Sequence, residues 1–204
     1  MGRKSDARER LLAAALELIW DHGYGSTTVD EICERAGVRK GSFYYFFDSK
    51  CELAAAAIEA DWLRNKEELD RIFSPTRPPL RRLHDYFDFV YHQQRNLQKS
   101  SRRVLGCPLC TLGSEVCACD PRLGRTIDAI LTAYAKYFES AIREAQALGQ
   151  IEAGNAGLKA RCLFSYFQGT LTRARIHNDL TLLKELPAGA LEVLRVRKAS
   201  PSRS

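Results

Sequence analysis

Arg39, Lys40, Ser42, Tyr44 and Tyr45 fall within seven consecutive residues, about two turns if the segment is helical. Two cations, a hydroxyl and two phenols at that spacing suit contact with double-stranded DNA. A guanidinium such as that of Arg39 matches the guanine edge bidentately in the major groove. Lys40 suits a phosphate. Ser42 and Tyr45 project from the same helix toward bases or backbone. Thr28 and Lys50 stand at helix starts, where free backbone amides favour an anion. Phe43 and Phe47, interleaved with these residues, read as core.

The elements that position this set are legible around it. Thr28 and Glu31 have the spacing of a capping box that opens a helix. Ile32 and Ala36 recur at i and i+4 and share a face with Val29 and Cys33. Gly37 supplies a left-handed helix end, and Val38 packs under the turn. A second short helix runs over 39–47. Ser49 and Glu52 form another capping box that launches a third. Helix, four-residue turn, helix is the geometry that sets a recognition helix in a DNA groove.

With these residues in place, the chain resembles the TetR family of bacterial transcriptional regulators. Residues 6–58 carry the likeness: an apolar helix ending at His22-Gly23-Tyr24, then AGVRKGSFYYFFDSKCEL. Phe46 and Asp48 depart from the family pattern, which places His, Tyr or Asn at the first and Pro at the second. The resemblance implies an all-α fold of about nine helices: an N-terminal three-helix DNA-binding domain and a C-terminal helical domain for ligand binding and dimerisation. It also implies that the Tyr44 hydroxyl bonds a phosphate, that a homodimer binds a palindromic operator through residues 28–50, and that a small-molecule effector releases it. Beyond residue 60 the likeness is looser. A Gly-Cys-Pro-Leu stretch at 106–109 and the segment from Phe167 to Arg175 resemble one C-terminal subfamily.

The remaining organisation is helical throughout. A first helix covers 5–22 with Leu12, Leu16 and Ile19 on its stripe, and a fourth covers 50–73. Three prolines within residues 75–79 then break the chain. Helices follow at 80–97, 108–118, 121–148, 156–177 and 180–196, with Pro187 delaying or kinking the last. The domains read as 1–52, 53–198 and a disordered tail at 199–204. In the family arrangement the last two helices pair across a dimer, which assigns Leu163, Phe167, Leu171, Ala174, Leu191 and Leu194 to the interface. Tyr86, Phe89, Val90, Gln93, Tyr134, Phe138, Phe164 and Gln168 are the pocket candidates, apolar walls with a few polar groups.

Composition bounds the rest. The chain has 204 residues, 45% hydrophobic, with formal net charge +6. Residues 1–50 hold eight Lys/Arg and eight Asp/Glu, so placement of charge, rather than its sum, favours DNA; Arg3 and Lys4 lie at the start, from where Arg3 could reach the neighbouring minor groove. No apolar run approaches the roughly 18 residues of a membrane span, and the start lacks a secretory signal. A cytoplasmic protein with its seven cysteines reduced is expected, and no cofactor is.

Cys107, Cys110, Cys117 and Cys119 form the one cluster with independent chemistry. As four zinc ligands they fit poorly, since one helix would set Cys110 and Cys117 about 10.5 Å apart along its axis. As a thiol sensor, Cys107 lies at a helix start near Arg102 and Arg103, which favour the thiolate; Cys110 is its neighbour. As small buried hydrophobes they need no further role. An enzyme using Cys107 with His84, His92 or His177 has no motif behind it.

Overall fold

The computed structural model describes residues 2–116 and 120–197, with the side chains of 2–5 outside that description. Among the described residues there are nine α-helices: α1 Gly2–His22, α2 Val29–Ala36, α3 Lys40–Phe46, α4 Lys50–Ile72, α5 Pro79–Ser101, α6 Pro108–Val116, α7 Pro121–Ala147, α8 Ala156–His177 and α9 Leu186–Leu194. A 3-10 segment, Leu180–Glu185, precedes α9. The only β pairing described is an isolated bridge between Ile151 and Val196. Cys117, Cys119, the side chains of Arg3 and Lys4, and the tail from 198 lie outside the described residues.

The chain divides into two compact units, Met1–Glu67 with Leu105–Thr132, and Glu68–Val104 with Ala133–Ser204. This differs from a simple split at residue 52. Residues 105–132 belong with the N-terminal head because α6 packs on α1.

In the first unit, α1 buries more than the expected stripe. Leu12, Leu16 and Ile19 are buried, and so are Leu11, Ala15, Leu18 and Trp20. The reason is that α1 meets α2 and α3 as well as α6, so more than one face is covered. Phe43 is fully buried and Phe47 nearly so; burying each such ring is worth about 2–3 kcal/mol.

In the second unit, the proline break is fastened from within. Arg82, 1% exposed, donates from Nε to the Arg77 carbonyl (2.8 Å) and from Nη2 to the Pro75 carbonyl (2.9 Å). Its Nη1 pairs with Glu144 Oε2 at 2.7 Å. A buried guanidinium needs all of these partners to offset its desolvation. Pro187 resolves into a restart: the chain tightens to 3-10 geometry and α9 begins at Leu186 with Pro187 in its first turn, where a missing N–H costs nothing.

Candidate nucleic-acid interface

The two capping elements of the helix-turn-helix form as their residue types require. Glu31 N donates to Thr28 Oγ1 (3.2 Å) and Thr28 N donates to Glu31 Oε2 (2.7 Å). This backbone bond, then the Thr28 hydroxyl, holds the Glu31 carboxyl below its ordinary pKa. At the other end of α2, Gly37 takes φ +60°. Gly37 N donates to Glu34 O (3.0 Å) and Val38 N to Cys33 O (2.9 Å), satisfying carbonyls that the helix end would leave bare. Arg10 Nη1 also donates to the Ala36 carbonyl at 2.8 Å.

α3 then presents its polar side outward. Phe43 and Phe47 point into the core with ring centroids 6.1 Å apart, while Tyr44 and Tyr45 are 56% and 65% exposed. Arg39 is exposed at the N-cap of α3 with no side-chain capping bond, and Ser42 is half-buried. Phe46 is half-buried and meets Tyr45 edge-on at 4.9 Å. Lys40 Nζ lies 2.8 Å from Asp30 Oδ1, tying α3 to α2; this carboxylate raises the Lys40 pKa.

Lys50 is placed differently from a phosphate-seeking cation. Its Nζ donates to the Tyr24 carbonyl (2.8 Å) and the Thr27 carbonyl (2.7 Å), and sits 4.0 Å from the centre of the Tyr24 ring. Burial lowers its pKa, against the pull of Glu115 and Glu31. The ammonium thus holds the α1–α2 turn. Sequence reasoning missed this role because the partners are backbone oxygens more than twenty residues away, which leave no side-chain pattern.

Four further bonds tie this head to Leu105, Gly106, Glu115 and Asp120. Trp20 Nε1 donates to the carbonyls of Leu105 and Gly106, both at 3.1 Å. Gly25 N donates to Glu115 Oε2 at 2.9 Å. Cys51 Sγ donates to Asp120 Oδ2 at 2.7 Å, and burial together with this bond pushes the Cys51 thiol up to about 12. None has a local sequence signature.

Cys107 and Cys110 are neighbours, both half-buried. The Thr111 N–H bonds the Cys107 carbonyl, so Cys107 stands at the start of α6. The Cys110 thiol is pushed strongly up by its hydrogen bond to Cys107, by burial and by the Cys107 charge.

The residues expected at a dimer interface are taken up inside the chain. Leu163, Phe167, Leu171, Ala174 and Leu194 are between 0% and 3% exposed, covered by intrachain packing that includes α8 on α9. Leu191 is the exception, at 47%. α8 carries two stripes, and periodicity alone does not say which one the chain itself covers. The stripe left outward is Leu158, Cys162, Ser165, Gly169, Thr172 and Ile176.

The expected pocket residues largely pack ring on ring. Tyr86, Val90 and Phe138 are buried; Tyr86 lies 5.3 Å from Phe138, which lies 5.5 Å from Phe164. Tyr134 stacks on Phe164 at 6.4 Å, and Gln93 and Gln168 are half-buried. A groove of about 370 Å³ runs beside α5, lined by Ile72, Arg77, Arg81, Asp85, Phe89 and His92 among others. Of the eight residues only Phe89 borders it. Among the described residues His84, Asp85 and Asp88 are close enough to share a cation. Asp85, however, already pairs with Arg77 and Arg81 at 2.7 Å each.

A capped helix, a left-handed glycine turn and a short helix showing arginine and tyrosines define a helix-turn-helix DNA-binding protein. The chain matches the bacterial regulatory proteins of the tetR family over residues 11–57 and the tetracyclin repressor-like C-terminal domain over residues 79–188. It belongs to the TetR family of transcriptional regulators. It is 30% identical to the transcriptional regulator AcuR of Cereibacter sphaeroides over 172 residues, 83% of this chain and 77% of that one. It is 25% identical to the HTH-type transcriptional repressor DhaR of Mycobacterium sp. (strain GP1) over 197 residues, 94% and 93% of the two chains. The crystal structure of regulatory protein TetR from Rhodobacter sphaeroides superposes with TM-score 0.80 at 27% identity, over 92% of this chain and 98% of that one. No helix among the described residues is long and apolar enough to cross a membrane.

Proposed function

We propose that this regulator is a cytoplasmic repressor whose homodimer binds a palindromic operator and is released by a small-molecule effector. The observation that carries the DNA assignment is α3, which buries Phe43 and Phe47 while exposing Arg39, Tyr44 and Tyr45. Arg39 reads a base edge, with Ser42 and Tyr45 beside it; Tyr44 and the α2 start at Thr28 bond phosphate. Lys40 stays partnered with Asp30 in the free protein and exchanges that partner for phosphate on binding. Lys50 contributes by holding the turn. Repression is supported by the repressor name of the DhaR relative.

A two-fold operator needs a two-fold protein. The outward stripe of α8, from Leu158 to Ile176, with Leu191 of α9, is the face we assign to it. Gly169 has open space where a side chain would stand, so a partner helix can approach closely there. The effector is a small amphipathic molecule entering at the groove beside Phe89, with the Tyr86–Phe138–Phe164 ring layer as the packing it disturbs. The names of the AcuR and DhaR relatives do not favour the thiol-switch alternative through Cys107, which is set aside. The test is a titration of the dimer on DNA upstream of its own gene at several salt concentrations. Tight binding that weakens steeply with salt is expected; binding no tighter than to unrelated DNA would defeat the operator reading.

A further inference from the structure

Gly23-Tyr24-Gly25 ends α1 and sets where α2 begins. Its shape is held from two sides. From one side Lys50 Nζ takes the Tyr24 and Thr27 carbonyls. From the other, Glu115 on α6 accepts the Gly25 N–H at 2.9 Å. The same carboxylate fills the space over Gly23: a Cβ there would lie 2.8 Å from Glu115 Oε1, and Gly23 has φ +91°. A side chain at residue 23 is therefore disfavoured by the backbone, and it would push the Glu115 carboxylate off this turn. Adding negative charge to a DNA-facing unit opposes phosphate binding, so a carboxylate here needs a compensating purpose. Its neighbours supply one: it accepts from the turn and lies close enough to Lys50 to stabilise that ammonium. α6 is itself fixed at its start by Trp20 on the Leu105 and Gly106 carbonyls, so the carboxylate is delivered from a rigid base.

We propose that Glu115 is a positioning residue for DNA binding, completing the helix-turn-helix from far beyond the end of α3 by fixing the Gly23–Thr27 turn and hence the N-terminus of α2. The proposal rests on the operator-binding reading above, and its test separates the two. In the full-length protein, Glu115→Ala removes the acceptor and Glu115→Gln keeps one oxygen for Gly25. Operator affinity is measured by anisotropy, fold by thermal melting, and the turn by hydrogen exchange at the Gly25 amide. For Glu115→Ala we expect about a tenfold loss of operator affinity, the scale of one charge-assisted bond, faster Gly25 exchange, and a melting temperature within about 4 °C of wild type. For Glu115→Gln we expect Gly25 to stay protected and affinity to stay within about threefold. Wild-type affinity in Glu115→Ala, or equal losses in the two variants, would overturn the proposal; so would a loss that merely follows unfolding. If the wild-type protein itself binds no operator, the DNA reading fails, while Gly25 exchange still decides whether Glu115 holds the turn.

Discussion

Lys50 Nζ lies 2.7 Å from the Thr27 carbonyl oxygen, so the cation that opens α4 ends the turn that opens α2. Replacing it by methionine keeps the stem and deletes the donor, stranding the Tyr24 and Thr27 carbonyls. Lys50→Met is expected to cost about 2 kcal/mol in denaturant unfolding, the low end for bonds from a charged donor because the site is half-buried. The salt dependence of operator affinity should keep its wild-type slope, since no phosphate contact is lost. A slope reduced by about one would return Lys50 to the phosphate-binding set.

Arg39 should behave in the opposite way. It is exposed, with no capping bond of its own, so Arg39→Ala leaves stability within about 0.5 kcal/mol. Operator affinity should fall by about 1–3 kcal/mol if the guanidinium reads a base, and affinity for unrelated DNA much less. Equal losses on both DNAs would make it a phosphate contact.

The Thr28–Glu31 box gives a pH prediction. The folded state holds the Glu31 pKa below its ordinary value near 4.5, so the unfolded chain takes up the proton first as pH falls. The stabilisation is complete above pH 4.5 and is lost as pH drops through the lower folded value. Urea unfolding of Glu31→Gln between pH 3 and 7 should therefore show a shallower acid limb than wild type. An unchanged limb would mean that other carboxylates account for it.

The two stripes of α8 are separable by substitution. Leu163→Ala, at a fully buried site, should cost about 2–5 kcal/mol of stability. Ile176→Glu, at a site 72% exposed, should leave the fold intact and shift sedimentation from dimer to monomer at low micromolar protein. A stable dimer in Ile176→Glu would move the interface elsewhere.

Deleting the Phe138 ring tests the aromatic layer. Phe138 is fully buried and meets Tyr86, Phe87, Phe164 and Phe167 within 6.3 Å. Phe138→Ala is expected to cost about 3–5 kcal/mol, measured by chemical unfolding. A cost below about 1 kcal/mol would show that the layer is loosely packed.

What the sequence disclosed was local. Thr28 with Glu31, Gly37 before Val38, and the prolines at 75, 78 and 79 each act through the next few residues of backbone, so type and spacing reveal them. The alternation of Phe43 and Phe47 with Tyr44 and Tyr45 sorted α3 into buried and exposed sides. Long-range choices stayed hidden. Lys50 spends its charge on carbonyls, Glu115 reaches a glycine N–H, and Leu163 and Phe167 are covered by the chain itself; each depends on which distant surface arrives. The pocket residues were recognised as aromatic and apolar, but ring chemistry does not distinguish a wall from a filling.

Trp20 also gives the head an optical signature. Its indole N–H is shared between two carbonyls of the segment leading into α6, and its ring is 9% exposed. The only other indole in the sequence belongs to Trp62. In Trp62→Phe protein, all tryptophan fluorescence comes from this one contact. Departure of the 105–106 segment would wet the ring and move its emission to longer wavelength, so the attachment of α6 can be timed by stopped flow while the protein is on or off its DNA.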